Sequence, residues 1–235
     1  MRLKPVILAI LFITSGIFYY SITANAIVDK TTVSVQRIID GDTFEISSGQ
    51  KVRLKGINTP EKGFPFSDDA TAFLKNSIEN KSIQLEIFGT DKYGRFLAYT
   101  FSQNKNVNEE IIKKGLATLY YYEQDNHYKK LKQAEEFART NQLGIWKKSP
   151  NANCLELIQL KYKEQPTRCT NDEKLILKNH CNELNVTIKD DATHIYKEII
   201  PKGIFTKSFS CIWNDAGDTL YISDDKGLLI FHRYN

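Results

Sequence analysis

Apolar and polar residues alternate in five short runs of the first two thirds of the chain, at residues 33–39, 43–47, 51–57, 82–88 and 97–101. Each predicts a strand with one face turned inward. Between the third and fourth runs, Ala70, Phe73, Leu74 and Ile78 recur at helical spacing. They predict a helix reaching about residue 80, capped by Asp68 or Asp69. A second short helix fits residues 108–114 and is stopped by Gly115. A third fits residues 127–140, with Leu131, Ala134, Phe137 and Ala138 inward and Gly144 beyond its end. Five strands, with helices in the third-to-fourth connection and after the fifth, suit a small Greek-key barrel of the OB-fold type.

The pattern changes after residue 150. Residues 147–153 are polar and broken by Pro150, the composition of a domain boundary. Beyond them, residues 155–160, 173–178, 184–189, 205–212, 219–223 and 228–234 read as strands with no convincing helix. Gly, Pro, Asn and Asp punctuate them at residues 201–203, 214–218 and 224–227. The expected fold class is therefore mainly β: an α+β five-stranded OB-fold barrel with three helices over residues 27–148, a linker at 149–153, and an immunoglobulin-like β-sandwich over 154–235.

The N-terminus adds a location. Arg2 and Lys4 precede an almost wholly apolar run at residues 6–20, and Ala24-Asn25-Ala26 offers small residues at the spacing a signal peptidase reads. Residues 1–26 are expected to be a signal peptide, which makes the protein exported: periplasmic, secreted or cell-surface. An uncleaved membrane anchor is the competing reading, because the apolar stretch approaches the length of a span. All four cysteines, Cys154, Cys169, Cys181 and Cys211, follow residue 150. In an exported chain they suggest up to two disulfides in any of three connectivities, and the lack of a Cys-x-x-Cys pair disfavours zinc.

With 41% hydrophobic and 26% charged residues the chain has the content of a folded protein, which argues against disorder. Its formal charge of +4 is uneven: residues 27–150 carry net +3 and residues 151–235 net −1. A mildly basic first unit permits a polyanionic substrate without requiring one.

The candidate chemistry lies in that first unit. Asp40-Gly41-Asp42 places two carboxylates at a tight turn between strands, where they can meet a hard cation. The next strand delivers Arg53, and a Pro-stiffened corner carries Glu61. A cation, an acid and guanidinium groups are the parts needed to cleave a phosphodiester, since charge builds on the equatorial oxygens at phosphorus. Arg serves where Lys would not, because its planar fork grips phosphate bidentately.

These residues sit in longer motifs. Ile38-Ile39-Asp40-Gly41-Asp42-Thr43, Val52-Arg53-Leu54, Thr59-Pro60-Glu61, Asp91-Lys92-Tyr93-Gly94-Arg95, Val107-Asn108-Glu109, Gly115-Leu116-Ala117 and Leu143-Gly144-Ile145-Trp146 occur in order. Together they resemble the thermonuclease (staphylococcal nuclease-like) family over residues 31–148. The resemblance implies an endonuclease that acts on DNA and RNA, uses one calcium ion and leaves 3′-phosphate ends. It assigns the metal to Asp42, Asn58 and the Thr59 carbonyl, the preparation of water to Glu61, and the scissile phosphate to Arg53 and Arg95. Lys92 and Tyr93 would contact a terminal phosphate, and Tyr121 would stack on a base. Asn58 departs from the family, which has a second carboxylate there, and Glu123 stands where another tyrosine is common.

Residues 212–224 with Gly227-Leu228-Leu229 resemble the lamin-tail domain, an immunoglobulin-like module. The resemblance implies an accessory role, holding the enzyme on an envelope component, nucleic acid or another protein. Asp215, Asp218, Asp224 and Asp225 read as turn formers there, and His180, His194 and His232 as isolated residues. His127 reads as a surface residue at a helix start. The rival to the enzyme is a non-catalytic nucleic-acid-binding protein with a degenerate metal site. A further one is an envelope-anchored interaction protein built around the sandwich.

Overall fold

The structure, a computed structural model, describes residues 30–120, 124–162, 173–192, 194–214 and 217–234. The expected signal peptide, Tyr121, Glu123, Cys169 and Asp215 lie outside the described residues.

The first unit runs β1 (Lys30–Ile38), β2 (Thr43–Ile46), β3 (Lys51–Leu54), β4 (Ile57–Asn58), α1 (Ser67–Ile78), β5 (Ser82–Thr90), β6 (Phe96–Ser102), β7 (Lys105–Asn106), α2 (Val107–Lys113), β8 (Thr118–Leu119) and α3 (Tyr128–Thr140). Antiparallel pairing runs in the order β3-β2-β1-β5-β6, and a parallel β3–β6 pairing closes the barrel. Closure removes the sheet edges and leaves one enclosed core. Phe44, Val52, Leu54, Leu85 and Ala98 fill it from the strands. Leu74 and Ile78 of α1 and Ile111 and Ile112 of α2 pack on the same cluster. Buried Asn108 stitches the ends together, its amide donating to Lys55 O and Ala98 O while its oxygen accepts from Thr100 N.

Three local expectations are corrected. Asp68 and Asp69 do not cap α1; they occupy its first turn, where their charge still favours the helix N-terminus, and the N-cap position is Phe66 with φ 68°. Phe137 is 46% exposed rather than inward, and its ring lies beneath the Lys113 ammonium. His127 is not a free surface residue: its ring stacks 3.9 Å from that of Tyr99, and Nε2 lies 2.7 Å from Glu86 Oε2.

The second unit holds β9 (Leu155–Lys161), β10 (Glu173–Asn179), β11 (Leu184–Lys189), β12 (Ile195–Ile200), β13 (Gly203–Phe209), β14 (Asp218–Asp224) and β15 (Gly227–Tyr234). They form a three-stranded sheet, β13-β10-β9, and a four-stranded sheet, β12-β11-β14-β15. Leu175, Leu177 and Phe209 from the first meet Val186, Ile188, Leu220 and Ile222 from the second in one core. The hydrophobic pattern does not show β12, because Ile195–Ile200 reads Ile-Tyr-Lys-Glu-Ile-Ile without clean alternation, and β13 begins at Gly203, ahead of the run expected from residue 205. Cys154 and Cys181 form a disulfide, and Cys211 is also disulfide-bonded. The histidines expected to be isolated include two with partners, His180 with Glu156 and His194 with Asp190.

The stretch expected to be a linker is hydrogen-bonded structure. Ser149 N donates to Leu228 O, Leu228 N donates to Lys147 O, and Ser149 Oγ and Asn151 Nδ2 both donate to Asp224 Oδ2. Trp146, 1% exposed, packs its ring edge-on to Phe231 of β15 and near Tyr221 of β14. The two units therefore share a third apolar cluster at their junction.

Candidate active site

The Asp-Gly-Asp turn between β1 and β2 is built around a close approach. A Cβ on Gly41 would lie 2.7 Å from Ala70 Cβ of α1 and 2.8 Å from Thr59 Oγ1, so only glycine lets the turn press against both. That pressure brings Asp42 to Thr59. Asp42 Oδ2 accepts from Thr59 N and Thr59 Oγ1, both at 3.2 Å, and Oδ1 accepts from Thr43 Oγ1 at 2.9 Å. Asp40 Oδ1 accepts from Asp42 N and fixes the backbone from the other side.

Arg53 comes from β3, which pairs with β2 in a register that sets Arg53 opposite Thr43. Its Nη1 lies 3.0 Å from Asp42 Oδ2 and its Nη2 donates to Asn58 Oδ1 at 3.0 Å. The same guanidinium donates to the carbonyls of Leu54 and Ile57. With Asp42 and Arg53 both largely buried, an ion pair so well hydrogen-bonded is held in one geometry.

Arg95 reaches the cleft from the turn before β6. Asp91 organises that turn: Oδ1 accepts from Tyr93 N and Arg95 N, and Oδ2 accepts from Arg95 Nε at 2.7 Å. Burial pushes the Asp91 carboxyl up, but the hydrogen bonds from Arg95 and Tyr93 outweigh it and hold the group below its ordinary range. Arg95 Nη1 then donates to Thr43 Oγ1 at 3.3 Å. Thr43, the residue that ends the Asp40-Gly41-Asp42-Thr43 turn, thus links the two arginines through Asp42, a role with no signal in the sequence beyond its place in that motif.

Asp40, Asp42, Arg53, Asn58, Thr59, Asp91 and Arg95 line one cleft of about 790 Å³ with Glu61, Lys92, Tyr93 and Tyr120. Glu61 is exposed at its mouth, on the corner after Pro60. Lys92 and Tyr93 line the same cleft, Tyr93 71% exposed with the Lys92 ammonium 5.1 Å from its ring centre. Asp42, Asn58, Thr59, Arg53, Arg95, Glu61, Lys92 and Tyr93 are therefore brought together.

Among the described residues no three His, Cys, Asp or Glu side chains gather as a metal centre. The oxygens on the cleft floor, from Asp42, Thr59 and Asn58, are hard donors that fit a calcium ion in chemical type. They carry one charge fewer than a pair of carboxylates would. Asn58 also faces away from the barrel: its Nδ2 donates to the carbonyls of Asp191 at 3.1 Å and Ala192 at 3.3 Å, in the β11–β12 turn. Nothing in the sequence signals a contact across 133 residues.

A closed barrel whose floor joins a buried carboxylate to two guanidinium groups, with a glutamate at the rim, defines a phosphodiester-cleaving enzyme. Residues 51–148 match the model of the staphylococcal nuclease homologue family. An uncharacterized endonuclease of Haemophilus influenzae is 32% identical over 140 residues, 58% of this chain and 78% of that protein. The thermonuclease of Staphylococcus hyicus is 32% identical over 154 residues, 60% of this chain and 90% of its own length. Endonuclease YncB of Bacillus subtilis is 37% identical over 131 residues, half of this chain and 62% of that one. The chain belongs to the staphylococcal nuclease family, and it is a nuclease, a hydrolase acting on nucleic acid.

Proposed function

We propose that the protein is an exported, calcium-dependent endonuclease that hydrolyses DNA and RNA and leaves 3′-phosphate ends. The observation that carries this reading is the linkage of Arg53 and Arg95 through Asp42 and Thr43 on the floor of the cleft that Glu61 borders. Arg53 on β3 and Arg95 on the turn before β6 face a phosphodiester and offset the charge gathering on its equatorial oxygens. Glu61 accepts the proton of the attacking water, the one exposed carboxylate of the cleft placed to do so without breaking a hydrogen bond to a described residue. Asp42, Asn58 and the Thr59 carbonyl would hold the ion, and bound calcium would supply Lewis acidity toward the phosphate. Lys92 and Tyr93 grip a neighbouring phosphate at the rim, and Tyr121 stacks on a base.

Export accords with the leader sequence and with disulfides in the second unit, which persist in oxidising compartments. The second unit serves as a lamin-tail-like accessory module that binds an envelope component or a protein. The test is cleavage of single-stranded DNA and RNA by the purified protein, with calcium or with chelator. Calcium-dependent fragments ending in 3′-phosphate, lost in Glu61→Gln and Arg53→Ala, support the reading. Retention of the oligonucleotide without cleavage would overturn it.

A further inference from the structure

The β11–β12 turn belongs to the second unit by packing and to the nuclease cleft by position. Ala192 lines the same cleft as Asp42, Arg53, Glu61 and Arg95. Lys189 shares with Glu61 and Asn58 a smaller cavity of about 340 Å³ between the two units, and its ammonium feels the Glu61 charge. We propose that this turn is a wall of the nuclease cleft, that Asn58 is the positioning residue latching it there, and that the second unit thereby sets how tightly nucleic acid is held. The inference rests on reading this cleft as the place where nucleic acid is bound and cut.

Asn58 is engaged at both ends of its amide. Its oxygen accepts from Arg53 Nη2, and its amide nitrogen donates to two carbonyls of the turn. A carboxylate at this position could still accept from Arg53 but could donate nothing. It would set lone pairs about 3 Å from two carbonyl oxygens, removing this donor from each and repelling both. Attachment of the second unit at this point therefore requires the amide. That is a physical reason for asparagine where the family resemblance puts an acid.

The turn is preformed from the other side. Lys189 Nζ donates to Asp190 O at 2.7 Å and to Ala192 O at 2.9 Å. Asp191 N donates to Asp218 Oδ1, and the Asp191 carboxylate accepts from Thr219 Oγ1 and Tyr221 OH. Asp191 and Ala192, seated on Asn58, lie one side chain from the Arg53 guanidinium, so displacing them changes both the width of the cleft and the hold on an arginine that faces the phosphate.

The experiment uses the full chain in three forms: wild type, Asn58→Asp and Lys189→Met, the last altering the turn while leaving every barrel residue in place. In the wild type, the Asn58 side-chain amide protons, followed by NMR, should exchange with water at least about tenfold more slowly than those of exposed Asn104. Equilibrium binding of a fluorescein-labelled single-stranded phosphorothioate oligonucleotide should weaken about five- to thirtyfold in both variants, the scale of one or two lost hydrogen bonds. In Lys189→Met, KM for cleavable DNA should rise by a similar factor, and by more than kcat falls. Exchange of the Asn58 amide as fast as that of Asn104 overturns the latch, whether or not either variant folds. Wild-type oligonucleotide affinity in a folded Lys189→Met overturns the wall. Absence of cleavage by the wild type would count against the catalytic reading alone, since exchange and binding are measured without turnover.

Discussion

Glu135 of α3 and Arg233 of β15 form an ion pair across the boundary between the two units, ninety-eight residues apart in the chain. Glu135 Oε1 also accepts from Leu119 N at 2.8 Å, and Arg233 Nε donates to Thr219 Oγ1 at 2.8 Å. Burial opposes the charge on Arg233, but the bonds to Glu135 outweigh it and raise its pKa, so the guanidinium stays charged. Replacing Arg233 by Met should cost about 3–5 kcal/mol, because Glu135 is left buried without its counter-charge. The double variant Arg233→Met, Glu135→Gln should recover much of that loss. Urea unfolding of the single and double variants measures both.

A second expectation concerns pH. Burial pushes the Asp191 carboxyl up to about 6, against the pull of Arg233 and the hydrogen bond from Thr219. A carboxylate raised in the folded state binds protons more readily folded than unfolded between pH 6 and its ordinary value near 4. This group therefore costs stability above pH 6, and the cost is relieved as pH falls through that window. Asp191→Asn should raise the melting temperature at pH 7.5, with an upper bound of about 3 kcal/mol, and the gain should vanish by about pH 4. An unchanged difference between variant and wild type across that range would contradict the assignment.

Gly41→Ala should be severe for a substitution of one methyl group. The added Cβ meets Ala70 Cβ and Thr59 Oγ1 well inside contact distance, so either α1 or Thr59 must move. Overpacking of this kind costs about 1–3 kcal/mol. Because Thr59 donates twice to Asp42, activity should fall further than the stability loss explains. Thermal melts and initial cleavage rates on the same preparation separate the two effects.

Arg53→Lys keeps the charge and loses the fork. One ammonium cannot reproduce the simultaneous grip on Asp42 and Asn58, nor face a phosphate through two parallel donors. The expected loss in kcat is about a hundredfold or more, the scale of removing one oriented transition-state donor. A rate within threefold of wild type would show that Arg53 supplies only charge.

The Cys154–Cys181 bridge closes a loop of 27 residues. Chain-entropy reasoning gives such a loop about 3–4 kcal/mol of stabilisation. The Cys154→Ser, Cys181→Ser variant should unfold at correspondingly lower denaturant, with the barrel core unaltered in its circular dichroism before the transition.

The barrel was legible because local signals agreed. Alternation marked β1 to β3, β5 and β6, Gly115 stopped α2, and the motif residues followed in order. The carboxylate, the two arginines and the glutamate were found because each stands at a strand end or turn whose chemistry is local. What escaped was decided by tertiary packing. Glu135 is a polar residue between core alanines on α3, and its burial depends on Arg233 from the far end of the chain. Phe137 has the right spacing for the core but points to solvent, because α3 spends its inner face on Leu131, Ala134 and Ala138. The donor bonds of Asn58 to the β11–β12 turn have no sequence signature at all.

Trp146 closes the barrel's chain yet finds its aromatic neighbours in Phe231 and Tyr221 of the other half. A cut after Lys148 would strip those neighbours and present an indole to water, with Glu135 bared at the same time. The nuclease and its companion are consequently expected to melt as one cooperative body, so heat should inactivate the enzyme at the temperature where the sandwich gives way.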